Sequence, residues 1–433
     1  MISVLTRLLH GYNTKQFDML KSQLLQSNQS RSSALLLLLA ICSIVSVPWS
    51  TSFPQLVYPA ILIAVLSSPQ IRQDIAQSAK WPINILGICF SLALFLGIAY
   101  SISPLPYAFN TWYKISHKII LFILLPALFV RKENRDRLIH AFLLSTTLIA
   151  ALQIMHLHQW IDLVGFTHKK DLLHLINPIP FSVLCAYAMF VILHLCQRAY
   201  AQAQHPLFDW FAKCFAFCVL GYFMCFAMPK RTGLLVLGAL MPFLVMSTTD
   251  KKKRGPILLL GCLMAVLMLA ASPKLLNAVS LVIHETKLYF QGHVEQYSIG
   301  LRWSFIAMSV GLIKKSLFWG YGTGSFPWVY FAVGGPQLAG EKGLLGDPHS
   351  TFFHIMVQLG IPGGLLLISW LALQYQISKQ MPAYEQLLAK GLVIAFVLTC
   401  FCIDGLLRSH MSMFYVIMLP ALMGSCLEKN KKA

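Results

Sequence analysis

Charged side chains are scarce in this sequence. Only 11% of its 433 residues are charged and 57% are hydrophobic, with a mean hydropathy of +0.67. A typical soluble domain has about 25% charged residues, so this chain lacks the polar side chains needed to cover a folded domain in water. The composition excludes an ordinary soluble protein and predicts a membrane protein.

Acidic residues are fewer still. The sequence has 15 Asp and Glu against 34 Lys and Arg, which gives a formal net charge of +19. Such an excess is compatible with a nucleic-acid partner, but membrane proteins also collect Lys and Arg in their cytoplasmic loops. We favour the second explanation and predict membrane lipids, and no nucleic acid, as partners.

Paired cysteine motifs and a signal peptide are also lacking. All 11 cysteines lie in apolar runs and none forms a CxxC pair, so the sequence has neither a zinc-ribbon nor a dithiol redox motif. Residues 1–30 contain no short apolar stretch followed by a small-residue cleavage site. We therefore expect the first span to act as the insertion signal.

Long hydrophobic runs are what the sequence does contain. Many approach the roughly 20 residues that cross a bilayer as a helix. We predict about twelve spans, near residues 33–49, 53–68, 83–100, 116–130, 138–155, 177–197, 209–228, 233–248, 256–272, 350–375, 389–407 and 411–427. The expected fold class is an all-α polytopic membrane protein.

The positions of the basic residues predict its orientation. With the N-terminus in the cytoplasm, 21 of the 34 Lys and Arg residues fall in inside segments. Six of the others fall in one long outside loop, and long loops are translocated largely regardless of charge. We expect both termini to face the cytoplasm.

One outside loop is much longer than the others. The chain divides into N-terminal transmembrane helices (1–272), a large periplasmic loop (273–349) and C-terminal transmembrane helices (350–433). From Trp303 to Phe318, apolar residues recur at helical spacing, which predicts an amphipathic helix on the membrane surface or against the bundle. Loops of this length without a role are uncommon, so we expect the loop to contribute to a site.

Four outward-facing features can carry chemistry. They are the basic pair Lys230-Arg231, Arg302 before the amphipathic helix, the glycine-rich run 320–326, and the segment 347–350 with its histidine. Two Arg side chains from separate segments can clamp a pyrophosphate and stabilise it as a leaving group. A neutral His can accept the proton of an attacking hydroxyl, so this chemistry requires no metal or other cofactor.

Each feature also has a structural explanation. Lys230 and Arg231 can extend to lipid headgroups, and Arg302 can be an ordinary surface charge. A single His at the start of a helix, such as His349, is often structural, and we expect His354 to serve packing. The glycines of the 320–326 run are expected to form turns, because no βαβ unit surrounds them as a dinucleotide-binding motif would require.

Two polar clusters remain. The histidines of a second outside loop match no standard zinc spacing, so we do not predict a metal site there. Asp404, Arg408 and His410 lie together at the outer end of a span, where they can form an ion pair or assist an acceptor site. The histidines of the second loop are His156, His158, His168 and His174.

These motifs resemble those of the bacterial O-antigen ligase and polymerase superfamily of membrane glycosyltransferases. The resemblance extends from about Lys230 to Trp370. Its most specific part is the stretch 349–364, which is similar to the family's His-Asn pair, apolar helix and Gly-hydrophobic-x-Gly run, although Ser350 replaces the usual Asn. Arg302 followed by the 320–326 run is similar to the family's Arg, amphipathic helix and Gly-x-Gly-x-Gly-x-Phe run, and Lys230-Arg231 is similar to its basic turn.

The resemblance implies transfer of an O-antigen glycan from undecaprenyl pyrophosphate to a hydroxyl of the lipid A core, at the periplasmic face of the inner membrane. Arg231 and Arg302 would bind the pyrophosphate, and His349 would activate the acceptor. Further substrate-binding residues are predicted at Lys230, Gly322, Gly324, Ser350 and Arg408.

Other activities remain open. A single large loop and the length of 433 residues favour a ligase over a polymerase or a protein O-oligosaccharyltransferase. The Arg-x10-Gly pattern of polymerases is absent, since Pro242 follows Arg231 at that spacing and Ile313 follows Arg302. A transporter of lipid-linked glycan would instead place charged residues deep within the spans.

Overall fold

The computed structural model describes residues 38–47, 58, 68–161, 177–202, 207–292, 298–333, 348–407 and 409–432. Within these ranges the regular structure is helical and contains no β-strand. The helices are α1 (38–46), α2 (Pro69–Ala79), α3 (Pro82–Ile98), α4 (Leu105–Leu124), α5 (Lys132–Leu157), α6 (Pro178–Ala201), α7 (Leu207–Tyr222), α8 (Arg231–Thr248), α9 (Lys251–Ala271), α10 (Pro273–Phe290), α11 (Ser298–Lys315), α12 (Phe326–Ala332), α13 (Thr351–Ile377), α14 (Ala383–Cys402) and α15 (Ser409–Lys432).

Eight of the described helices are long and apolar enough to cross a membrane. A ninth span results if α2 and α3, which are bent by 76° at their junction, count as one broken span. The prediction of an all-helical chain with many candidate membrane spans is thus confirmed, whereas the number of twelve spans stays a prediction. Of the twelve predicted spans, 53–68 lies almost wholly outside the described residues, and 116–130 is the second half of α4 with a short 3-10 helix, Leu125–Leu128.

Local sequence sets the beginning of several helices. Ser68, Asn177 and Ser272 precede α2, α6 and α10, and each side chain accepts a hydrogen bond from a backbone N–H of the first turn. Each is followed by Pro at the start of the helix, where the missing N–H costs nothing. These boundaries are therefore encoded within a few residues.

The core is built around α15. In its apolar stretch 94% of the residues are buried, and Tyr415 stacks on Phe396 of α14 with ring centroids 3.7 Å apart. By contrast, α9 has no buried residue, as expected of a helix whose solvent is lipid. The bundle therefore has a protein-enclosed centre and an apolar periphery.

The predicted large loop is more helical than its sequence indicated. The helix predicted from Trp303 is confirmed, but it begins at Ser298. The segments before and after it contain α10 and α12, whereas the sequence indicated irregular structure after Gly320. In α12, Phe326, Val329 and Tyr330 bury aromatic and aliphatic surface, which compensates for the short length of the helix. Residues 334–347 lie outside the described part of the chain.

Candidate functional site

The basic pair Lys230-Arg231 lies where two long apolar helices meet. The preceding helix ends in a π-helical turn, Phe223–Ala227, closed by a 2.8 Å hydrogen bond from Met228 N to Phe223 O. Such turns are frequent at functional sites. Arg231 is the first residue of α8, and Lys230 is its N-cap. Both side chains are half-buried.

Arg231 reaches from α8 to α10. Its Nε donates to Ala278 O at 3.1 Å, and one terminal nitrogen lies 3.9 Å from Glu285 Oε2. The Glu285 carboxylate is buried and accepts a 2.8 Å hydrogen bond from Ile299 N at the beginning of α11. A carboxylate is favourable there because the helix N-terminus carries partial positive charge. Glu285 therefore connects the helices that carry the two candidate arginines.

Arg302 shares this electrostatic environment. Burial lowers the pKa of its guanidinium; Cys402 and Glu285 raise it, whereas Arg231 lowers it. An arginine pKa begins so high that the group stays protonated at neutral pH. Two cations therefore lie near one buried carboxylate, and the excess positive charge favours an anion.

His349 lies beside the same helix. Its ring packs against Phe305, with centroids 5.6 Å apart, and Phe305 follows Arg302 by three residues, so that both face one side of α11. The backbone of His349 has a φ of 54°, in the left-handed region that is costly for residues other than glycine. Strain of this kind is concentrated at functional sites.

The residues after His349 fix it to the bundle. Ser350 is buried and donates to Cys400 O at 3.2 Å, and Thr351 donates to Asp404 Oδ1 at 3.3 Å. His354, expected only to pack, has its Nδ1 atom 2.5 Å from Oδ2 of the buried Asp404. The start of α13 is thereby held against the end of α14.

The glycine-rich run lies between α3 and α13. Gly320, Gly322 and Gly324 have φ values of 64°, 88° and 77°, which confirms the predicted turns. Gly322 N donates to Gln358 O at 2.9 Å, and Gly324 N donates to the Gln358 side chain at 2.7 Å. A Cβ on Gly322 would lie 2.2 Å from Ser101 Cα. This packing accounts for Gly322 and Gly324, and their predicted role in substrate binding stays a prediction.

The structure describes only some of the other predicted polar residues. Arg408, His168 and His174 lie outside the described residues. His158 Nε2 lies 2.9 Å from the Tyr222 hydroxyl, and His410 is half-buried at the start of α15. In the described ranges, no three His, Cys, Asp or Glu side chains are grouped so that they could hold a metal ion.

Sequence reasoning missed Glu285 and the partners of Asp404. Glu285 lies in a stretch predicted as loop, so nothing in the sequence indicated that it would meet Arg231 and α11. For Asp404, the sequence indicated its neighbours in the chain, whereas the structure pairs it with His354. An acidic residue isolated in a basic, apolar chain is itself a signal, because its charge needs a buried partner.

A comparison with protein families finds a match over part of the chain. A family model described as O-antigen ligase matches residues 216–368, which include Arg231, Glu285, Arg302 and His349. No curated protein matches the chain. The family match supports the resemblance of this chain to the O-antigen ligase superfamily.

Proposed function

We propose that this protein transfers O-antigen glycan from undecaprenyl pyrophosphate to the lipid A core oligosaccharide at the periplasmic face of the inner membrane. The observation that carries the proposal is that Glu285 contacts both Arg231 and the first turn of α11, the helix that carries Arg302 and packs against His349 through Phe305. The coarser assignment to a ligase- or polymerase-type membrane enzyme rests on the family match.

In the proposed reaction, Arg231 and Arg302 bind the pyrophosphate oxygens of the donor. The acceptor hydroxyl oxygen attacks the anomeric carbon, and the bond from that carbon to the pyrophosphate oxygen breaks. The negative charge that develops on the leaving lipid pyrophosphate is stabilised by the two guanidinium groups, whose planar donors match phosphate oxygens. His349 accepts the hydroxyl proton.

Glu285 has a positioning role in this scheme. Its carboxylate lies between the first turn of α11 and Arg231, so it compensates one positive charge while no donor is bound. The second positive charge remains for the substrate. Because the carboxylate is buried, it fixes the relative positions of α8 and α11 instead of binding solvent.

Polymerisation is the competing activity within the same superfamily, and reconstituted transfer separates the two. The purified protein is incubated with undecaprenyl-pyrophosphate glycan and rough lipopolysaccharide, and the products are resolved by size and by lipid anchor. We expect glycan attached to the lipid A core. Glycan lengthened on the undecaprenyl carrier would show a polymerase and overturn the ligase proposal.

A matched control makes a negative result interpretable. The His140→Ala variant removes an exposed histidine of α5, far in sequence from the candidate site, and should transfer glycan like the wild type. If neither wild type nor control produces either product while both remain monodisperse in detergent, glycosyl transfer from this donor is excluded.

A further inference from the structure

A cavity of about 350 Å³ lies at the end of the bundle opposite the candidate site. Its walls are formed by the first turns of α5 and α14 and the last turns of α6 and α15. The candidate site contacts the other end of α14, near Cys400 and Asp404. Since α14 has 20 residues, the cavity and the candidate site are about 30 Å apart.

One arginine of the cavity is structural. Arg135 is 2% exposed, and its guanidinium donates to Glu385 at 3.0 Å, to Glu428 at 2.8 Å and to the carbonyls of Phe129 and Val130. With Nε also 3.3 Å from Glu385, all five donors are occupied. The two lining carboxylates are therefore turned towards Arg135.

Three other basic residues line the cavity without such compensation: Lys132, Arg198 and Lys429. In the described part of the chain, none of the three forms an ion pair. The Arg198 guanidinium lies over the Tyr384 ring, 4.5 Å from its centroid, which orients its planar fork. The four basic and two acidic side chains leave the cavity with an excess of two positive charges.

The position of Lys132 strengthens this argument. It is in the first turn of α5, where the helix already carries partial positive charge and a cation is unfavourable. The acidic residue of that turn, Glu133, is exposed and does not line the cavity. An anion bound between Lys132, Lys429 and Arg198 would relieve this repulsion.

We propose that the cavity binds a phosphate group, supplied by the headgroup of an anionic phospholipid or by a soluble phosphate compound. A phosphate offers several oxygens to the Arg198 fork and to two ammonium groups at once. Basic pockets between membrane helices bind lipid headgroups in this manner. The binding site is separate from the candidate active site and does not depend on the proposed glycan transfer.

The test uses the delipidated full-length protein in detergent. Binding of dioleoyl phosphatidylglycerol is measured by native mass spectrometry, with dioleoyl phosphatidylcholine as the neutral reference. We expect the Lys132→Ala/Lys429→Ala variant to bind phosphatidylglycerol about 25-fold more weakly, since each of the two ammonium groups that line the cavity contributes about fivefold to the affinity for a phosphate bound there. Lys251→Ala/Lys252→Ala, which removes two exposed basic residues elsewhere, should bind within about twofold of the wild type.

Inorganic phosphate distinguishes the two sources. If it displaces phosphatidylglycerol and raises the thermal unfolding midpoint relative to chloride at equal ionic strength, a soluble phosphate compound is the ligand. If phosphatidylglycerol binds and phosphate does not compete, the lipid is the ligand. The proposal is overturned if the cavity variant and the control bind phosphatidylglycerol equally and inorganic phosphate affects neither. Because Lys132 and Lys429 are exposed, both variants are expected to fold.

Discussion

At the scale of single residues, His349 has the most specific environment. Its backbone has a φ of 54°, the following residue Ser350 donates to Cys400 O, and its ring packs against Phe305. A side chain that served only to start α13 would not require this conformation, since helix N-termini ordinarily have extended or helical backbone. This conformation supports a functional role for the His349 side chain.

We expect His349→Ala to lower glycan transfer to the lipid A core by at least about a hundredfold, because a positioned general base contributes that much to a rate. Lipopolysaccharide from cells carrying the variant, separated by gel electrophoresis, should lack the ladder of capped forms. Immunoblotting of membranes should show normal amounts of the protein. A persistent ladder would remove His349 from the role of base.

Replacing Arg302 by Lys keeps the positive charge but removes the planar guanidinium, so it separates the contribution of the group's shape from that of its charge. We expect Arg302→Lys to lower transfer by about a hundredfold, since an ammonium group cannot replace a bidentate fork on a pyrophosphate. Lys314→Ala, which removes an exposed charge from the same helix, should leave the rate unchanged. Full activity of Arg302→Lys in the same in vitro assay would mean that Arg302 supplies only a positive field.

At the scale of elements, the glycine-rich run and the break in α13 form one joint. Gly360 has non-helical angles inside α13, and Ile361 N donates to Leu317 O at 2.7 Å. Opposite it, Tyr321 N and Gly322 N donate to the carbonyls of Val357 and Gln358. The segment between α11 and α12 is therefore hydrogen-bonded to the backbone of α13 at its break. These hydrogen bonds fix the position of α11 relative to α13.

Substitution of Gly322 separates a structural role from a role in binding substrate. We expect Gly322→Ala to destabilise the protein by at least about 1–3 kcal/mol, because φ is 88° and the new Cβ would overlap Ser101. Thermal unfolding in detergent measures the change. Gly261→Ala is the control, since nothing lies within 4 Å of its Cβ and Ala is the better helix former. If Gly322→Ala kept its stability but lost activity, Gly322 would belong to the substrate site.

How far the sequence predicts these elements depends on the range of the interactions. Hydrophobic runs and Pro-containing caps are local, so helices such as α6 and α8 begin within two residues of the predicted spans. The turns at the glycines of the 320–326 run were also predictable, because a positive φ is a local property of the backbone that glycine adopts readily. By contrast, the contact of Asp404 with His354 joins residues that are 50 positions apart in the chain, and no local pattern encodes such a contact.

The candidate site shows the same division. Arg231, Arg302 and His349 were identified by residue type and by resemblance to a family, and each residue type is matched to phosphate or proton chemistry. Glu285 was not identified, since α10 has no long apolar run and was predicted as loop. Its significance comes from the contacts with Arg231 and Ile299, which only the folded chain reveals.

At the scale of the whole molecule, polar residues are divided between the two ends of the bundle. Arg135, Glu385 and Glu428 join α5, α14 and α15 at one end, whereas His354 joins α13 to Asp404, just after α14, at the other. Lys132, Arg198 and Lys429, at the first end, all fall in segments that the sequence predicts to be cytoplasmic. All three residues therefore belong to segments predicted to lie on the same side of the membrane. The candidate site lies at the other end, which is predicted to face the periplasm.

Reporter insertions test this orientation directly. Alkaline phosphatase is active only after export, so we expect activity when it is inserted after Gly292, between α10 and α11, and none when it is inserted after Asp250, between α8 and α9. Lys251, Lys252 and Lys253 follow Asp250, and retention of these charges in the cytoplasm is the physical reason for the expected difference. Green fluorescent protein at the same two positions should give the reciprocal pattern, with equal accumulation verified by immunoblot. The reverse pattern would place Arg302 and His349 in the cytoplasm, where a periplasmic acceptor could not reach them, and the proposed ligase activity would fail with it.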